Sequence, residues 1–152
     1  MVRDIASENL KISEHIREFG WHCLHIFPTE AVHANFSYSI GFNESYEAPE
    51  VLIFGLSREK AHALLNECAQ LLKSGASIES EIEDDRILAG GYKVMFKQVK
   101  ADAFHEYLGT ALRFYGEKPF TAVVMFLPDK QHKFPWQSGY DDINATESLS
   151  IV

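Results

Sequence analysis

Apolar residues near the start of the chain recur at helical spacing. Ile5, Ile12, Ile16 and Phe19 share one stripe, which predicts a helix over residues 4–19, capped by Asp4 and ended by Gly20. The period then changes. Residues 21–27 are aromatic and apolar and stop at Pro28, as a strand would. Residues 36–42 alternate, with Phe36, Tyr38, Ile40 and Phe42 on one face and Ser37, Ser39 and Gly41 on the other. The small face admits a close neighbour, more often a packed helix than a ligand. A loop ending in Pro49-Glu50 leads to residues 51–56, a continuous apolar run that predicts a strand covered on both faces.

Ser57 is placed to cap a helix carrying Ala61, Leu64, Leu65, Cys68 and Leu72 on one face, with Gly75 closing it. A polar, acidic stretch follows, then a short strand at 86–88, a Gly90-Gly91 turn and a strand over 92–99. Phe104, Tyr107, Leu108, Ala111, Leu112 and Tyr115 keep the 3, 4 spacing of one unbroken helix up to Gly116. Residues 120–127 read as a last strand, stopped by Pro128, and residues 137–152 form a polar C-terminal tail. Two neighbouring strand pairs (36–42 with 51–56, and 86–88 with 92–99) have no helix between them. The expected architecture is therefore α+β: one domain over 1–152, with a mixed, mostly antiparallel sheet covered by about three helices.

At 152 residues and 46% hydrophobic content the chain suffices for one packed domain. Its formal charge of −8 disfavours nucleic acid as a partner and favours a basic protein. Cys23 and Cys68 lack CxxC spacing and read as reduced, buried thiols. The charged N-terminus does not resemble a signal peptide, and no apolar run approaches membrane-spanning length, so a cytoplasmic protein with no membrane partner is expected.

Motif chemistry is sparse. His22 and His25 are three apart on a strand and point to opposite faces, so they do not pair on a metal, and no metal or cofactor is expected. Ser37, Ser39 and Ser57 lack a nucleophile elbow, and the glycines form no phosphate-binding loop. His105 and Glu106, adjacent on a helix, diverge by about 100°. The strongest charge feature is Glu79, Glu81, Glu83, Asp84 and Asp85, five acids in seven positions, with Asp141 and Asp142 further on. Such a run is either a solvated loop or a docking surface for a cationic partner. Phe134-Pro135-Trp136 is an amphipathic anchor, read as a clamp onto the core.

Gly20-Trp21-His22, the strand from Phe36 to Gly41, Pro49-Glu50 with the apolar run to Leu56, Gly91-Tyr92, Tyr107-Leu108-Gly109 and Phe134-Pro135-Trp136 occur in an order that resembles the domain-of-unknown-function family 4262, found mainly in bacteria. The resemblance implies a single α/β-type domain and no particular reaction. In size and charge alone the chain also resembles the immunity proteins that neutralise toxins delivered by neighbouring bacteria.

Two functional expectations follow. In the first, a non-enzymatic, cytosolic acidic module blocks a basic, nuclease-type toxin through Glu79, Glu81, Glu83, Asp84 and Asp85, seconded by Asp141 and Asp142. In the second, an enzyme or ligand-binding protein uses a pocket beside the 36–42 strand, built from His22, Tyr38, Glu50 and Trp136, with Glu50 as acid–base group.

Overall fold

The N-terminal stripe forms α1 (Ile5–Phe19). Gly20 ends it with φ +92, its N–H bonded to the Ile16 carbonyl at 2.8 Å. The computed structural model describes residues 5–30, 32–140 and 146–152; the Asp4 cap lies outside them. β1 (His22–Ile26) pairs antiparallel with β2 (Phe36–Ile40), and β2 pairs antiparallel with β3 (Glu50–Phe54). β3 lies parallel to β6 (Ala122–Phe126), which pairs antiparallel with β5 (Val94–Gln98), and the two-residue β4 (Glu83–Asp84) completes the sheet. The order is β1-β2-β3-β6-β5-β4: one mixed, mostly antiparallel sheet in one domain, as the sequence pattern predicts.

Alternation along each strand divides the apolar residues between two cores. Phe36, Tyr38, Ile40, Leu52, Val124 and Phe126 face α1 and the helical segment before β6. Val51, Ile53, Val94, Phe96, Val123 and Met125 face α3 (Arg58–Lys73). Ser57 caps α3, its hydroxyl accepting the Lys60 N–H at 3.3 Å. The small face of β2 is explained by α3: Ser37 and Ser39 lie on the sheet side that α3 covers, and bulkier residues would hold the helix away.

Three local predictions need correction. Phe42 does not continue β2. Gly41, at φ +124, turns the chain, and Phe42–Tyr46 forms a short helix, α2, that buries Phe42 in the α3-side core, opposite Phe36, Tyr38 and Ile40. The edge strand is β4 at Glu83–Asp84, not residues 86–88. Arg86 folds back onto Asp84 through its side chain and its own N–H, which ends pairing there and lets Ile87 enter the core. The helix over 104–115 is interrupted: a 3₁₀ turn (Ala101–Ala103) leads into α4 (Phe104–Tyr107), and α5 (Gly109–Tyr115) follows a break at Leu108, whose φ −118 and ψ 30 are not helical. The break lets Leu108 bury completely, and Gly109, the weakest helix former of the segment, follows it. With α2 and the C-terminal α6 (Thr146–Ser150), the described residues hold more helices than the three expected.

Within the polar tail, Ile151 is buried and its carbonyl accepts the Lys100 N–H at 2.7 Å. The Phe134-Pro135-Trp136 clamp holds: Phe134 is buried, and Trp136 stacks on it at 5.0 Å with its edge toward Phe126. No helix among the described residues is long and apolar enough to cross a membrane.

Candidate functional site

The acidic run does not form one bare carboxylate face. It lies along β5, and Glu81 adopts a left-handed conformation (φ 66) while its N–H bonds the Phe96 carbonyl at 2.8 Å. Glu81 pairs with Lys97 at 3.0 Å and Glu83 with Lys93 at 3.8 Å. Asp84 is buried and held in a fork by Arg86, at 2.6 and 3.0 Å. The Arg86 hydrogen bonds keep the Asp84 carboxyl below the ordinary carboxylate range. Glu79 accepts the Ser77 hydroxyl at 2.9 Å, and Asp85 is exposed. Asp141 and Asp142 lie outside the described residues.

The second set of predicted residues is dispersed. Tyr38 is fully buried, its hydroxyl near Thr110, and burial pushes it up to about 12. His22 sits on the β1 edge strand, Nδ1 to Nδ1 with His15 of α1 at 2.7 Å. Trp136 lies at the β6–β5 side of the sheet, under the Lys97 ammonium at 4.4 Å from its ring centre. His25, on the face opposite His22, meets the Ser37 hydroxyl at 2.6 Å.

The His15–His22 contact requires at least one neutral ring. Burial, and then the His15 and Lys11 charges, lower His22 from 6.5 to about 4. Between those values the unfolded chain binds a proton that the folded chain does not, so stability should fall as pH falls through about 6.5 to about 4 and should be indifferent to this group above 6.5. Discounted for the ring's partial exposure, the loss is about 1–2 kcal/mol. Urea denaturation across that window should show a shallower pH dependence for His22→Gln than for the wild type; parallel curves would refute the assignment.

Glu50 is the best-defined polar centre, and it is sealed. Its carboxylate accepts the Ser39 hydroxyl at 2.8 Å, the N–H groups of Gly41, Phe42 and Asn43 at 3.1 Å each, and the Tyr115 hydroxyl. Ser39 Oγ in turn accepts the Val51 N–H at 3.0 Å, so its proton points at Glu50. Burial pushes the Glu50 carboxyl up, and the hydrogen bonds from Tyr115, Asn43, Ser39 and Gly41 pull it down, burial dominating. Tyr115 is pushed well up, by burial and then by the Glu50 charge. With no exposed surface, Glu50 ties the Gly41 turn to α5 through these hydrogen bonds.

Above that anchor the helices leave an open cleft of about 270 Å³. Ser13, Ile16 and Arg17 face it from α1 at i, i+3, i+4 spacing; Glu44 comes from α2; Phe114 and Tyr115 come from α5; and Lys118 follows the Gly116 stop. Lys118 pairs with Glu44 at 2.5 Å. Arg17 is exposed and makes no ion pair or hydrogen bond among the described residues. Sequence reading missed this site. Its residues come from three helices and the turn after α5, four of the seven are polar or charged, and the hints were Ile16 and Tyr115, each within an apolar stripe.

The fold and cleft define a class, a small α+β domain whose concave surface lies where α1, α2 and α5 meet over a buried carboxylate. The chain belongs to the family Domain of unknown function (DUF4262), which matches residues 15–141. It has no significant match among curated proteins or among solved structures.

Proposed function

We propose that the protein is a binding module for a small molecule seated in the α1–α2–α5 cleft. The observation that carries the reading is the cleft's rigid wall: Tyr115 contributes to the opening while its hydroxyl is tied to the buried Glu50 beneath. A concave site with apolar walls and a few polar groups is the usual form of a ligand pocket, and a wall fixed in advance lowers the ordering cost of binding. The sealed position of Glu50 favours binding over acid–base chemistry there. Native mass spectrometry of the full chain after exposure to a small-molecule cell extract tests this. A retained adduct should disappear in the cleft-filling variant Ser13→Trp, with the fold checked by circular dichroism. An adduct that persists in the folded variant places binding elsewhere and ends the reading.

A second reading keeps the acidic edge as a docking face for a basic, nuclease-type toxin, with the protein acting as its immunity partner in the cytoplasm. It draws on the net charge of −8 and on the exposure of Glu79, Glu81, Glu83 and Asp85. Exposed ion pairs such as Glu81–Lys97 are worth about 0–1 kcal/mol, so those acids can exchange partners, whereas Asp84 is committed to Arg86. Replacing Glu79, Glu81, Glu83 and Asp85 together by their amides should abolish protection of cells that co-express a nuclease toxin from the same operon. Undiminished protection by the fourfold variant removes the idea.

A further inference from the structure

The cleft's charges narrow what it can hold. Lys118 is neutralised by Glu44 at 2.5 Å, so among the lining side chains Arg17 is left as one uncompensated positive charge. A guanidinium presents paired N–H donors that match a carboxylate in a fork. The remaining walls, Ile16, Phe114 and Tyr115, are apolar or aromatic. At about 270 Å³ the space falls just below the ~300 Å³ where pockets for drug-sized ligands begin. A dianion such as a phosphate monoester would need a second cation, prising Lys118 from Glu44, and the chain's charge of −8 opposes a second negative charge more than a first. A cation would face Arg17 directly.

We propose that the cleft takes a small organic monocarboxylate with an aromatic or branched aliphatic body, its carboxylate on Arg17 and its body against Ile16, Phe114 and Tyr115. This rests on the binding reading above. Arg17 acts as the specificity residue and the Glu44–Lys118 pair as a neutral gatepost beside it.

The test is a titration of the ¹⁵N-labelled full chain with phenylacetate, phenylacetamide, benzylamine and phenyl phosphate, followed by amide shifts. Phenylacetate should move the amides of Ser13, Ile16, Arg17, Phe114 and Lys118, and phenylacetamide should bind about tenfold more weakly or worse. Arg17→Gln should lower the phenylacetate affinity by about tenfold and that of phenylacetamide, whose carbonyl accepts only a neutral hydrogen bond, by clearly less. If phenylacetamide, benzylamine or phenyl phosphate binds the cleft as well as phenylacetate or better, the monocarboxylate assignment is wrong while the cleft remains a binding site. The assignment is equally wrong if Arg17→Gln changes nothing. If none of the four moves those amides, or all act elsewhere, the binding reading fails and takes this proposal with it.

Discussion

Glu50→Gln is expected to cost about 1–3 kcal/mol of stability, the scale for leaving a buried hydrogen-bond donor without its acceptor. Glu50 Oε1 accepts from the Ser39 hydroxyl and the Phe42 N–H; Oε2 accepts from the Gly41 and Asn43 N–H groups and from the Tyr115 hydroxyl. A glutamine amide has one acceptor oxygen. Turned one way, its NH₂ group faces the buried Phe42 N–H; turned the other, it faces the half-buried Asn43 N–H, while the Gly41 N–H keeps the Tyr115 hydroxyl as a second acceptor at 3.1 Å, and a backbone N–H left without its acceptor costs about 1–3 kcal/mol. Tyr115 can rotate its hydroxyl to accept, but the backbone donors cannot adapt. Urea denaturation measures the loss. A change below about 1 kcal/mol would mean that the five donors do not depend on the carboxylate, and the anchor role assigned to Glu50 would be abandoned.

Gly41→Ala should destabilise by about 3 kcal/mol or more, for a different reason. At φ +124 an L side chain is strained before any contact is considered. The added Cβ would lie 2.9 Å from Trp21 Cα, 3.0 Å from the Gly20 carbonyl oxygen and 2.9 Å from Ile16 Cγ1. Two of those atoms are backbone and cannot swing aside. For a chain of this size the loss corresponds to a melting temperature lower by roughly 6–12 °C. Gly55→Ala is the control: its φ is +80, and an added Cβ meets nothing within 4 Å, so it should show the strain alone. Equal losses in the two variants would rule out the close approach of Gly41 to the α1–β1 junction.

The two variants meet in one network. The Gly41 N–H is a Glu50 donor, so their effects should not add when combined. The network also shows how far the position of Glu50 in the sequence falls short of its hydrogen bonding in the fold. A carboxylate after a proline, beside an apolar run, stands out in sequence, and its position suggests acid–base work. What the sequence does not show is the set of donors brought to it by the Gly41 turn and by Tyr115, 65 residues away along the chain. The acidic run shows the same gap. Its composition was plain, but strand alternation sends Asp84 inward to Arg86 while Glu81 and Glu83 meet lysines at 97 and 93, and those partners depend on register.

Periodicity alone determined where α1, α3 and the five longer strands lie, the mixed and mostly antiparallel character of the sheet, and the burial of β3 on both faces, because each of these depends on local spacing and turn residues. Only the tertiary structure decided the rest: that Phe42 crosses to the opposite core, that the last long helix breaks at Leu108, that a two-residue acidic strand forms the sheet edge, and that α1, α2 and α5 converge on one cleft. The physical reason is that these features arise from groups distant in sequence satisfying one another's hydrogen bonds and filling one another's space, and neither condition leaves a period in the chain.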